Sequence, residues 1–156
     1  MYSLLIQGEQ NMRFVLVALA TLSLVVTAHA ADFSGTWKMN PAKSHVPTDT
    51  SGNVTSSMTI KIEQPRPDTL SFKEDSVWNS GEKHHWETDY VCDGEKHPVK
   101  VVGGTPPLNT LQTCHIDSAN GRLEHQLLQS GRVRRTNTFT LSPDAKTLTR
   151  VRTGAG

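Results

Sequence analysis

The chain has 156 residues and a formal net charge of +1 at pH 7. This near-neutral balance argues against a general nucleic-acid binder, which would normally be strongly basic. The length suits one ordinary domain with a single core, which needs neither metals nor many disulfides for its stability.

An apolar leader opens the chain. Arg13 is followed by the apolar run 14–26, and the sequence Thr27-Ala28-His29-Ala30 comes directly after that run. A positive flank, an apolar run and an Ala-x-Ala end are typical of a secretory signal peptide. The run is also shorter than the roughly 18 to 20 residues of a transmembrane helix. We therefore expect an exported protein, periplasmic or secreted, with no stable membrane insertion after cleavage.

The domain assignment follows from that leader. Residues 1–30 are predicted to be the signal peptide, and residues 31–156 to be a single β-domain. A start at Met12 is an alternative, because the preceding residues contain Glu9 and add no positive charge. Acidic residues predominate up to Lys100 and basic residues after it, which we interpret as two differently charged solvent faces.

The mature chain has an all-β pattern. Short segments rich in Thr, Val, Ile and aromatic residues are separated by turn residues at intervals of roughly 8 to 12 positions. The predicted strands cover 33–39, the hairpin 58–75, 83–92, 99–102, 110–116, 123–129, 133–141 and 147–153. Short sequential connections favour an antiparallel up-and-down meander, closed as a barrel of about 8–9 strands, over a Greek-key sandwich.

The two ends of the barrel are predicted from particular residues. Gly35 lies two positions before Trp37, which suggests a first strand whose indole plugs the barrel base. The chain ends at 154–156 without a further apolar strand, so the barrel could be incompletely closed at its C-terminus. We expect a monomer, and an oligomer that forms through the open edge is the alternative. The charges of Arg150 and Arg152 would oppose pairing of that edge with another chain.

Alternation along the strands predicts which side chains point into the barrel. The residues predicted to line a ligand site are Met58, Ile60, Ile62, Leu70, Phe72, Trp86 and Tyr90. Arg135 shares its predicted face with Val133 and Phe139, and an inward guanidinium is costly unless it is paired. Arg135 is therefore the candidate for contacting an anionic ligand or a buried carboxylate. The alternative is an arginine at the barrel mouth with its charge in water.

The only cysteines are Cys92 and Cys114, which both fall in predicted strands. An even number of cysteines in an exported protein indicates a disulfide, with two reduced buried thiols as the alternative. The pair His84-His85 cannot hold one ion from a regular strand, because adjacent side chains point to opposite faces. With no metal-ligand spacing, serine elbow or phosphate loop, we expect no metal, no cofactor, no catalytic residues and no enzymatic activity.

Three segments resemble a known family. These are the opening Asp32–Ser44, the turn Asp93–Pro98 and the late hairpin Leu141–Thr149. They resemble bacterial exported lipocalin-like proteins. The resemblance implies a lipocalin or calycin type barrel, in which the Gly35-x-Trp37 strand closes the base. It also implies that a late-strand arginine, Arg150 or Arg152, lies over the Trp37 ring. The sequence departs from typical lipocalins because it has no recognisable C-terminal helix.

These observations favour a non-enzymatic, exported binding module whose interior accepts a small apolar or amphipathic molecule. The alternative is a structural or interaction protein of the cell envelope, with a filled barrel and a basic face. That face would be formed by Arg132, Arg134, Arg135, Lys146, Arg150 and Arg152. An enzyme is a third hypothesis, because its catalytic groups would have to come from scattered histidines and carboxylates.

Overall fold

A computed structural model describes residues 31–48, 51–101 and 109–154. The predicted signal peptide and the Gly/Pro-rich segment 103–108 lie outside these ranges. The strands are β1 (Gly35–Lys38), β2 (Thr55–Arg66), β3 (Thr69–Trp78), β4 (Lys83–Val91), β5 (His97–Pro98), β6 (Thr110–Asp117), β7 (Arg122–Gln129), β8 (Arg132–Leu141) and β9 (Leu148–Gly154). A short 3₁₀ helix covers Pro41–Lys43. No helix in the described ranges is long and apolar enough to cross a membrane.

The nine strands form two antiparallel sheets. Sheet one has the order β1-β2-β3-β4 and sheet two the order β5-β6-β7-β8-β9. The predicted all-β antiparallel meander is confirmed, but the sheets are open and do not close into a barrel. Of the predicted strand 99–102, residues 99–101 are not in a strand and residue 102 lies outside the described ranges. The two-residue β5 lies just before them, and its Pro98 has no N–H to extend a ladder.

The junction between the sheets is covalent. Cys92, just after β4, is bonded to Cys114 on β6, with their Cα atoms 4.1 Å apart. The predicted disulfide is thus present, and the alternative of two reduced thiols is not. Beside it, Asp93 and His115 form a single β-bridge. β4 and β5 follow each other in the chain but belong to different sheets and do not pair. The disulfide and this bridge connect the two sheets at that point.

The core lies between the inner faces of the two sheets. Phe72 on β3 contacts Tyr90 on β4, with ring centroids 5.7 Å apart, and Phe139 on β8 at 5.8 Å. The contact between Phe72 and Phe139 packs one sheet against the other. The buried core comprises Phe33, Ile60, Ile62, Leu70, Phe72, Tyr90, Cys92, Cys114, Leu123 and Phe139.

The Gly-x-Trp strand has a local physical explanation. The Trp37 ring folds back over Gly35, where a Cβ would lie 3.3 Å from the ring. Its Nε1 donates to the Phe33 carbonyl oxygen at 3.2 Å. Trp37 is partly buried against the core, whereas Phe33 is fully buried. The innermost aromatic side chain at this end is therefore Phe33.

The predicted contact between a late arginine and Trp37 is wrong. Arg150 lies instead over the ring of Phe139, with its Cζ 5.5 Å from the centroid. The strand register explains the difference, because Arg150 on β9 is directly opposite Phe139 on β8. Arg152 donates its Nε–H to the side chain of Asn137.

A bulge in β8 changes which side chains face the core. Leu127 pairs with Arg135 and Leu128 with Val133, which leaves Arg134 as an extra residue. Because Leu127 and Leu128 point to opposite faces, their partners do as well. Arg135 therefore faces inward and Val133 faces outward, where it is 51% exposed. The prediction that Val133 and Arg135 share one face is wrong for this reason.

Candidate functional site

Polar side chains from both sheets meet between the inner faces. We call this set the interior polar cluster, and it consists of Glu74, Tyr90, His125, Arg135, Asn137 and Arg150. Each occupies an inward-facing position of its strand, and another inward-facing side chain lies two residues away along the same strand. The cluster borders the buried aromatic pair Phe72 and Phe139.

An ion pair joins the sheets at one end of this cluster. Arg150 Nη1 on β9 lies 2.6 Å from Glu74 Oε2 on β3, and the two side chains are only 15% and 14% exposed. The same Nη1 lies 3.5 Å from Met58 Sδ. Arg150 also donates through Nε and Nη2 to Asn137 Oδ1, at 3.3 and 3.2 Å. The charge of Arg150 is thus neutralised by Glu74 and its geometry is fixed by Asn137.

Asn137 determines the tautomer of the buried His125. Its Oδ1 accepts from Arg150, so its Nδ2 is the donor toward His125 Nδ1, at 3.3 Å. A ring nitrogen that accepts a hydrogen bond is unprotonated, so the proton of the neutral imidazole lies on Nε2. His125 Nε2 is buried and has no hydrogen-bond partner among the described residues.

The electrostatic surroundings keep His125 neutral. Burial, followed by the charges of Arg150 and Arg135, lowers the pKa of His125 to about 4. The ring also lies against Tyr90, with centroids 4.3 Å apart. Burial raises the pKa of the Tyr90 phenol, so it too stays uncharged at neutral pH. The cluster therefore presents a neutral N–H donor beside a neutral phenol.

Within the interior polar cluster, Arg135 is the second donor without a partner. Its Nε is buried and makes no hydrogen bond within the described ranges. None of the ion pairs found there includes it. After burial and the charge of Arg150, its charge contributes to the lowered pKa of His125, and it opposes the rise that burial causes in the pKa of Tyr90. The predicted inward position of Arg135 agrees with this arrangement.

Trp86 lies at the open side of the cluster. It is directly opposite Glu74 in the pairing of β3 with β4, so the two side chains share the inner face of sheet one. Trp86 is nevertheless 41% exposed. The prediction that it is enclosed is wrong, because sheet two covers β4 near Tyr90 and Cys92 but leaves Trp86 open. Beyond it, the rings of Trp78 and His84 stack with centroids 4.1 Å apart.

The other predicted ligand residues divide into two groups. Tyr90 and Arg135 belong to the cluster, and Met58 contacts it through Arg150. Ile60, Ile62, Leu70 and Phe72 are buried in the apolar core instead. Sequence reasoning missed Glu74, His125 and Asn137, although the same alternation places each of them two residues from an inward neighbour.

A second group of polar residues lies on the outer face of sheet two. A depression of about 230 Å³ is lined by His115, Asp117, Arg122 and Glu124. Arg122 Nη2 is 2.9 Å from Glu124 Oε2, so these two charges are paired. The described residues contain no group of three or more His, Cys, Asp or Glu side chains that could hold a metal ion.

Comparison with known proteins adds no relative. No protein-family model, curated protein or solved structure matches the chain. The arguments for a function therefore depend on the residues of this chain alone.

Proposed function

We propose that this protein is an exported, non-catalytic binding module for a small amphipathic molecule, which lies between the two sheets. The observation that supports this most is the interior polar cluster, in which His125 Nε2 and Arg135 Nε are buried donors without partners. Buried polar groups in proteins are nearly always hydrogen-bonded, so each exception requires an explanation. A ligand that supplies an acceptor is one.

The surroundings of the cluster suit an amphipathic molecule. Small-molecule sites are mostly apolar, with a few convergent polar groups that orient the ligand. The cluster has the buried aromatic rings of Phe72 and Phe139 on one side and the half-open Trp86 on another. A polar head would lie at the donors, and an apolar body would lie along Trp86 toward the open side.

Export and the absence of catalysis are parts of the same proposal. The apolar leader has the pattern of a signal peptide, and the disulfide is compatible with an oxidising compartment. A histidine with a pKa of about 4 is a weak base at neutral pH, so His125 does not suit general-base catalysis. A binding role uses its N–H and needs no proton transfer.

The proposal is tested on the protein that a bacterial host secretes from the full-length gene. Its intact mass reports whether residues 1–30 are removed. Native mass spectrometry of the freshly purified protein should show a copurified small molecule. Binding of added amphiphiles should change the fluorescence of Trp86, and a Trp86→Phe variant should lose that change. No copurified mass and no fluorescence response to fatty acids, retinoids or tetrapyrroles would contradict the binding module.

A second candidate function is favoured by the packing of the core. Phe33, Phe72 and Phe139 are almost completely buried and fill the space between the sheets at the apolar end. An interior filled in this way suits a structural or interaction protein of the cell envelope, which would use exposed arginines such as Arg132 and Arg134. Association with envelope fractions that weakens with salt, and is lost in an Arg132→Gln/Arg134→Gln variant, would favour this alternative.

A further inference from the structure

We infer that the interior polar cluster holds a single oxyanion, the carboxylate of an amphipathic acid, between the guanidinium of Arg135 and Nε2–H of His125. The inference depends on the proposed binding function, since it specifies the head group of the molecule bound between the sheets. It is argued from the charges, the donors and the strand geometry of the cluster.

The first argument is charge balance. Arg150 and Glu74 neutralise each other through a contact of 2.6 Å. Arg152 Nη2 lies 4.0 Å from the same Glu74 oxygen, and its side chain is 43% exposed, so solvent screens much of its charge. Arg135, a half-buried residue whose Nε is fully buried, is left as the cluster's inward cation with no acidic partner among the described residues. A partly buried charge without a partner is unfavourable. One negative charge would balance it.

The second argument concerns hydrogen-bond donors. His125 Nδ1 accepts from Asn137 Nδ2, so Nε2 carries the ring proton and can only donate. The guanidinium of Arg135 has donors and no acceptor. The two unpartnered atoms, His125 Nε2 and Arg135 Nε, can therefore be satisfied only by an acceptor, and a carboxylate provides two acceptor oxygens.

The third argument is the β-bulge in β8, which turns the side chain of Arg135 toward the cluster. The extra residue Arg134 sits opposite the junction of Leu127 and Leu128, and the strand resumes its register at Arg135. Bulges of this type are over-represented where a side chain is redirected toward a functional site. Here the bulge separates two neighbouring arginines, since Arg134 is exposed while Arg135 faces the cluster.

The same features select the class of anion. One unpaired cation balances one negative charge, which fits a carboxylate better than the dianion of a phosphate monoester. The planar fork of a guanidinium also matches the two oxygens of a carboxylate. The apolar body of the acid would pass Glu74 and lie against the half-exposed indole of Trp86, which is opposite Glu74 on the same face.

The test compares matched probes and matched variants. Sodium decanoate, 1-decanol and decyl phosphate have the same chain and differ in the head group. Each is titrated by calorimetry, below its critical micelle concentration or solubility limit, into the wild-type protein, Arg135→Gln and Arg134→Gln. The two variants remove the same charge from adjacent residues, one facing the cluster and the other facing solvent. We expect decanoate to bind wild type and Arg134→Gln alike, and Arg135→Gln at least about tenfold more weakly.

The uncharged and doubly charged probes give the decisive contrast. Decanol should bind wild type and Arg135→Gln equally, and decyl phosphate should bind more weakly than decanoate. Equal loss of decanoate binding in Arg134→Gln, or no loss in Arg135→Gln, would overturn the anion site while leaving the binding module intact. If neither decanoate nor decanol binds the wild-type protein, the proposed function fails and this inference fails with it.

A second variant keeps the test independent of any folding defect in Arg135→Gln. His125→Phe retains a ring beside Tyr90 and removes the Nε2 donor. We expect it to weaken decanoate several-fold and to leave decanol unchanged. In wild-type protein, the ¹⁵N resonance of His125 Nε2 should move on addition of decanoate and not on addition of decanol. Unchanged decanoate binding together with an unmoved resonance would overturn the role of His125.

Discussion

Arg150 and Glu74 connect the two sheets through a charged contact of 2.6 Å between Nη1 and Oε2. They come from β9 and β3, separated by 76 positions in the chain. Both side chains are largely buried, and Arg150 also packs over Phe139. This pair therefore holds sheet two against sheet one on the side away from the disulfide.

Removal of one partner of this pair should destabilise the fold. In Glu74→Gln, Arg150 keeps its bonds to Asn137 but loses its counter-charge in a largely buried position. We expect the free energy of unfolding to fall by about 2 to 3 kcal/mol, measured by urea denaturation at pH 7. The control is Glu63→Gln, which breaks the exposed pair with Lys61 and should change little. Equal effects of the two variants would show that the Arg150 contact adds no more stability than an exposed ion pair.

His125 should make the protein less stable in mild acid. Its pKa is about 4 in the folded protein and about 6.5 in the unfolded chain, so the unfolded state binds more protons between these values. Stability is therefore retained above pH 6.5 and falls as the pH drops toward 4, by about 3 kcal/mol in total. Urea denaturation at pH 7.0 and 4.5 measures it.

The matched variant for this pH dependence is His125→Gln, which has no titrating ring. It should lose less stability than wild type between the two pH values. The exposed His85 acts in the opposite direction, because Asp75 raises its pKa. Identical pH profiles of wild type and His125→Gln would contradict a buried neutral imidazole.

Reduction of the disulfide should weaken the junction of the sheets. Cys92 and Cys114 are 22 positions apart, and a loop of this length corresponds to about 3 kcal/mol in the chain-entropy account. We expect the Cys92→Ser/Cys114→Ser variant to unfold at a lower urea concentration, whether or not a reductant is present. Wild type should match it only in the presence of reductant. A midpoint independent of reductant in wild type would show that the bond is not formed or not stabilising.

Gly35→Ala should disturb the start of the first sheet. Gly35 has φ of 152°, and an added Cβ would lie 3.3 Å from the Trp37 ring. We expect a loss of about 1 to 3 kcal/mol and a change in the fluorescence of Trp37. Gly52→Ala is the control, because that residue also has positive φ (84°) but nothing lies within 4 Å of its added Cβ. A loss no larger than that of the control would mean that the indole moves away at little cost.

Much of the fold could be predicted from the sequence because the strands are half-buried. Their alternation places Ile60, Ile62, Leu70 and Phe72 correctly in the core. Short turns between neighbouring strands predicted the antiparallel meander. The disulfide was predicted from two cysteines in predicted strands of a chain with a predicted export leader, without any knowledge of which strands they join.

The remaining features depend on contacts between distant parts of the chain. Closure of a barrel requires pairing across its two ends, which local patterns do not report. The bulge at Arg134 reverses Val133 through a single extra residue, and a strictly alternating pattern cannot include it. The exposure of Trp86 depends on where the other sheet ends. The partner of Arg150 is set by the register of β9, which places it opposite Phe139.

The bond between Cys92 and Cys114 has a consequence for proteolysis. A protease that cuts the chain once between Asp93 and Thr113 would produce two polypeptides, and each would contain one of these cysteines. Each polypeptide would also retain most of one sheet. The nicked protein would therefore run as one species in electrophoresis without thiols and as two fragments after reduction.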